Sequence, residues 1–271
     1  MSAANLRRNF ICYLPIYGCM STGIIYTSIG VIAILSFLKI RHGGADESSM
    51  LAIMNDYVVG KIVVWVILLG SVSYIVWRIY ESIADPYGYG KSLAGKAKRH
   101  GVALSTVADM LIVYAAIQVL FDFGNIQLDG QPEEERRMVK NMLQRSWGST
   151  AIITLGCVVL TTAVIQFMYG VTRGYKERID IDRFNNYIKN TIHALAWAGY
   201  SARGVILGIT GFFLIKAGVL KQAHYVVNTD KAFDFIGDNV GHVYFILIAL
   251  GTICYGFFMF AQAFTYDADK D

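Results

Sequence analysis

"AGYSARGVILGITGFF", residues 198–213, sets Arg203 among Gly199, Gly204, Gly208 and Gly211 at the head of a long apolar run. Arginine is costly in hydrocarbon and glycine is a weak helix former, so a segment carrying both has a reason outside helix propensity. An echo of the segment supplies part of that reason. "YGCMSTGIIYTSIG", residues 17–30, places Gly18, Gly23 and Gly30 at the same intervals as Gly199, Gly204 and Gly211. The apolar runs that follow agree too: Gly60, Gly70 and Tyr74 in "GKIVVWVILLGSVSY" match Gly241, Gly251 and Tyr255 in "GHVYFILIALGTICY". Two hairpins are therefore copies, 181 residues apart. A degenerate third copy, running from "HGVALSTVADMLIVY" to "WGSTAIITLGCVV", keeps Gly101 and Gly156 and little else.

The environment of these hairpins follows from composition. Of 271 residues, 55% are hydrophobic and only 16% charged, where soluble proteins carry about 25% charged residues. The apolar residues fall into six windows, 16–38, 62–83, 102–121, 147–169, 194–220 and 242–264. Each is long enough to cross about 30 Å of hydrocarbon as a helix. The expected fold is an all-α integral membrane protein of six transmembrane helices, arranged as three tandem helical hairpins. It is one membrane domain over residues 1–271, with repeats at 10–99, 100–189 and 190–266. Each repeat holds an even number of spans, so all three enter the membrane the same way and are related by an axis along its normal. That predicts a pseudo-threefold bundle.

At residues 199–204 the chain also resembles a known family. Gly199, Tyr200, Ala202, Arg203 and Gly204 look like the Gly-Tyr-x-Ala-Arg-Gly element of the bacterial domain-of-unknown-function family 1206, whose members have three tandem two-helix repeats. The first repeat has Thr22 where Arg203 stands and the second has Ser105. The resemblance runs over essentially residues 10–266 and is most distinctive in the third repeat. It implies a bacterial inner-membrane protein and supplies no activity. Mitochondrial carriers also have three two-helix repeats, but they kink alternate helices at proline. Here Pro15, Pro86 and Pro132 all lie outside the apolar windows.

Orientation follows from basic residues in the loops. Arg7, Arg8, Lys91, Lys96, Lys98, Arg99, Arg173, Lys176, Arg178, Arg183, Lys189 and Lys270 share one side, twelve against nine on the other. Both termini are expected in the cytoplasm. Among the loops, residues 173–193 place Ile179, Phe184, Ile188 and Ile192 at helical spacing among charges, which reads as an amphipathic surface helix.

Charges inside apolar windows are the functional leads. Asp109 lies about 10 Å into the third window by helical rise, too deep for its short side chain to reach water. Arg203 and Arg78 come from the other two repeats at compatible depth. The candidate site is an intramembrane polar cluster of Asp109, Arg203 and Arg78. Gly18, Gly23, Gly30, Gly199, Gly204, Gly208 and Gly211 are assigned to helix packing.

Nothing points to a cofactor or metal. Cys12, Cys19, Cys157 and Cys254 form no Cys-x-x-Cys pair, and the five histidines are scattered near window ends. Walker loops, nucleophile elbows and dinucleotide fingerprints are missing; "YGYGKS", residues 87–92, lacks the first glycine of a phosphate loop. The sequence therefore reads as a non-enzymatic accessory or scaffold protein of the inner membrane. Its expected partners are membrane lipids and other membrane proteins, with no nucleic acid. The rival readings are a small-solute or ion path along the bundle axis past Asp109 and, third, an enzyme acting on lipid.

Overall fold

The computed structural model describes residues 3–40, 44–85, 88, 90, 92–122, 130–177, 179 and 184–265, with side chains except at 3–12, at most positions between 93 and 111, and at 177. These residues are helical, and a long–short–long pattern recurs along the chain. It runs α1 (Ala3–Phe37), α2 (Glu47–Asn55), α3 (Val58–Ala84); α4 (Leu93–Phe121), α5 (Glu133–Leu143), α6 (Gly148–Val171); α7 (Asn186–Leu220), α8 (Thr229–Asn239), α9 (His242–Thr265). Five segments are long and apolar enough to cross a membrane: Tyr13–Phe37 within α1, and the whole of α3, α6, α7 and α9. In α4 the apolar stretch among the described residues is shorter, Ile112–Phe121.

Packing joins the long helices in one series, α4–α3–α1–α9–α7–α6. Its two ends, α4 and α6, share no packed face among the described residues. Close approach between neighbours depends on small residues, because apolar side chains gain little by leaving lipid for protein.

The two well-matched hairpins pack alike. A methyl added at Gly18 would strike Tyr74, and one at Gly199 would strike the backbone of Tyr255. On the facing helices, Gly70 abuts Ser21 and the Tyr17 carbonyl as Gly251 abuts Ala202 and the Ala198 carbonyl. Every residue in the second set is its counterpart plus 181. A second kind of interface links one hairpin to the next. Gly30 faces Ala249 and Ile253 of α9, and Gly211 faces Gly156 and Leu160 of α6. Gly156 therefore stands where Ala249 stands, between hairpins. Gly208 differs from its neighbours in that an added methyl would meet only Ala163 Cβ, at 3.9 Å. That is ordinary contact, so close approach is not what places glycine there.

The short helices α2, α5 and α8 all lie at the same end, between the long helices of each pattern. Asp46 caps α2 by accepting from the Ser48 and Ser49 amides, and Asn228 caps α8 by accepting from the Lys231 amide; such caps satisfy otherwise orphaned N–H groups. The apolar faces of α2 and α8 close over a core at this end that includes Ile25, Ile29, Met50, Leu51, Val64, Ile67, Ala116, Ile206 and Phe233, while Val139 of α5 packs with Ile152, Leu214 and Ala217. At the opposite end a second cluster gathers the aromatic residues Tyr175, Tyr200, Tyr255 and Phe258 with Cys19, Ile192 and Met259. No separate surface helix over 173–193 forms among the described residues: Gly174–Glu177 is a short 3-10 turn, and residues from Asn186 onward begin α7 itself.

Candidate functional site

The Gly-Tyr-x-Ala-Arg-Gly element lies where α6, α7, α9 and α1 meet, and each of its residues has a place there. Gly199 and Ala202 bring α7 against α9 at Tyr255 and Gly251, while Gly204 brings it against Ala163 and Phe167 of α6. Tyr200 stacks on Tyr175 and meets Tyr169, Tyr255 and Phe258 edge-on. Arg203 turns toward α1 and α9. It donates to the Tyr255 phenol oxygen at 2.5 Å, and its guanidinium lies 4.6 Å from the Tyr26 ring centre and 4.8 Å from that of Tyr255. Tyr26 and Tyr255 themselves meet edge-on at 5.1 Å. Two aromatic faces and a phenol thus replace part of the guanidinium's hydration.

The guanidinium is level with Tyr26, near the middle of the Tyr13–Phe37 span. Arg203 reaches inward to these rings rather than toward headgroups.

Arg78 makes a parallel arrangement with different wiring. It donates to the phenol of Tyr74 at 2.5 Å and lies 4.5 Å above that ring. Tyr74 and Tyr255 are repeat counterparts, yet each receives an arginine from a different place: one turn along the same helix in the first copy, the facing helix in the third. Close to Arg78, Glu81 is buried at 1% exposure within α3. The sequence reading passes over this acid although it lies inside an apolar window. Asp109 belongs to α4 and its side chain lies outside the described residues, so the expected cluster of Asp109 with Arg203 and Arg78 lies outside what the structure describes.

The end formed by the short helices holds a second polar group of residues that the sequence did not signal. The backbone N–H of Ala45 donates to Asp230 Oδ1 at 2.7 Å, joining the first such loop to the third. Gly130, from the middle loop, sits against both Gly44 and the Asp230 carboxylate, and its carbonyl accepts from Asn228 Nδ2 at 3.1 Å. Its φ of +73° and its contacts both require glycine. Thr229 Oγ1 donates to Glu47 at 3.3 Å. Burial, with Asp46 beside it, pushes the Glu47 carboxyl up to about 7, against the pull of Arg203. Burial likewise raises Asp230 to about 6, while Lys231 opposes the shift from 3.6 Å away. Asp46 is raised by burial as well, and its Oδ1 has no hydrogen-bond partner among the described residues.

Chemically, these arrangements hold charge in place. Among the described residues, no three His, Cys, Asp or Glu side chains converge as they would on a metal ion. What they define is a membrane-embedded helical protein with an arginine clamped in its interior and a loop cap at one end.

The chain belongs to the family described as Domain of Unknown Function (DUF1206), which matches residues 17–85 and 198–266. The two matched segments are offset by the same 181 residues that relate Gly18 and Tyr74 to Gly199 and Tyr255. The middle hairpin lies outside them. A similar protein is described as uncharacterized protein YxxB of Bacillus subtilis (strain 168), 25% identical over 244 residues that cover 89% of this chain and 86% of that one. No solved structure matches the chain.

Proposed function

We propose that the protein is a non-enzymatic membrane scaffold or accessory subunit of the bacterial inner membrane, with both termini in the cytoplasm. In this reading all six long helices span, as three hairpins about a pseudo-threefold axis. The observation that carries the reading is the contiguous apolar cluster through α1, α2, α3, α4, α7, α8 and α9, in which Ile29, Met50, Leu51, Val64, Ile67 and Ala116 have no exposed surface. A packed interior closed by a loop cap suits a part that holds others in place better than a conduit. The partners are lipids and other membrane proteins. Purification in mild detergent followed by mass spectrometry tests this. Reproducible recovery of one defined membrane complex is expected; a bound small solute with no partner protein would overturn the reading.

The alternative, a solute or ion path along the axis past Asp109, has one observation in its favour: Glu47, with its raised carboxyl, acts electrostatically on Arg203 in the interior. A pairing of Asp109 with Arg203 or Arg78 fits either reading, as a structural ion pair or as part of a path. If exchanging the two charges fails to restore what each single substitution loses, that pairing is wrong.

A further inference from the structure

We infer that the cleft between the end of α6 and the start of α7 binds the phosphate of an anionic phospholipid. The cleft, about 320 Å³, is lined by Gly170, Val171, Arg173, Tyr175, Asn190, His193, Ala194 and Trp197. This inference goes beyond the scaffold reading and stands whether or not the interior is packed.

Position comes first. The α6 span ends at Val171, so the cleft sits at the level where headgroups begin. Trp197 and Val171 at its rim are exposed, as are Phe167, Met168 and Val164 one or two turns deeper on α6. Tryptophan is favoured at that level, and the apolar strip below offers a track for an acyl chain.

Charge comes second. Arg173 lines the cleft, and Arg173, Lys176 and Lys189 all act electrostatically on His193. No carboxylate is among the cleft's described lining residues. Arginine is suited to phosphate because its planar fork donates two parallel hydrogen bonds.

Preorganisation comes third. Tyr175 is 1% exposed, and its hydroxyl lies 2.9 Å from His193 Nδ1. With the phenol donating, Nδ1 is the acceptor and the neutral ring carries its proton on Nε2, which leaves a donor for a phosphate oxygen. The Asn190 amide, one turn earlier on α7, adds two more donors. Gly170 lets α6 approach α7 at Tyr200, where a Cβ would lie 2.8 Å from the Tyr200 Cβ, which holds the two sides of the cleft together.

The test uses the purified full chain, delipidated in a neutral detergent and titrated with phosphatidylglycerol or phosphatidylcholine while bound lipid is counted by native mass spectrometry. Phosphatidylglycerol is expected to be retained preferentially. Arg173→Gln and His193→Ala should each weaken it about ten- to a hundredfold, the effect of losing one charged hydrogen bond, whereas Arg145→Gln at the opposite end should not. Melting of each variant in the same detergent confirms that it is folded, and Asn190→Ala provides a third variant at the cleft. Equal retention of both lipids, or wild-type retention by the cleft variants, would overturn the assignment. Displacement of phosphatidylglycerol by millimolar inorganic phosphate would also overturn it, assigning the cleft to a soluble anion instead.

Discussion

Arg203 on α7 donates to the phenol of Tyr255 on α9 across a helix interface that Gly199 keeps close. The hydrogen bond and the ring face are separable. Tyr255→Phe keeps the aromatic contact and removes the acceptor, and should lower stability in detergent by about 1.5–3 kcal/mol, the range for hydrogen bonds to charged groups. Tyr255→Ala removes both and should cost more, about 3–5 kcal/mol as for large core truncations. Thermal unfolding of the two variants side by side checks the order.

The glycines sort by what a methyl would meet. At Gly211 it would lie 2.8 Å from the Leu160 amide nitrogen, and at Gly199 2.5 Å from Tyr255 Cα. Alanine at either position should destabilise by about 1–3 kcal/mol through forced separation of backbones. Gly208→Ala has room and should be neutral, or stabilising by up to about 1 kcal/mol from helix propensity. Melting temperatures of the three variants measure this directly.

Stability should fall as pH rises from about 4 to about 7, the window set by the raised carboxyls of Asp230 and Glu47. A carboxyl whose folded pKa lies above its unfolded value takes up protons on folding, so the folded state gains as pH drops into that window. Asp46 and Asp234 add to the penalty on Asp230 and Lys231 relieves it, while Asp46 adds to that on Glu47 and Arg203 relieves it. The expected difference between pH 5 and pH 8 is roughly 1–3 kcal/mol. Glu47→Gln with Asp230→Asn should flatten the profile, which unfolding followed across pH would show.

Much of the fold is legible in the sequence because its determinants are local. The apolar windows mark the long helices, and glycine spacing alone relates Gly18 and Tyr74 to Gly199 and Tyr255. The cap is not legible, since Ala45, Gly130 and Asp230 come from three loops and no periodicity links them. Arg203 shows the same limit. Its position in the repeat sets it apart from Thr22 and Ser105, but its partners, Tyr26 and Tyr255, lie 177 residues before it and 52 after it. Residues 186–193 misread as a surface helix for a physical reason: an apolar face among charges looks alike on a separate interfacial helix and on the first turns of a long helix leaving the membrane.

The central claim, a packed interior, is tested most directly by thiol accessibility. Cysteine is placed singly at Ile67, Ala116 or Ile206, in a chain whose Cys12, Cys19, Cys157 and Cys254 are replaced by alanine or serine. Sealed membranes of both orientations are then exposed to a membrane-impermeant thiol reagent. No labelling is expected at these three positions until the protein is denatured, with Met138→Cys, on the short helix α5 outside the spans and 56% exposed, labelled at once as the control. Labelling of the interior positions in the native protein would reveal a wet path and contradict the claim.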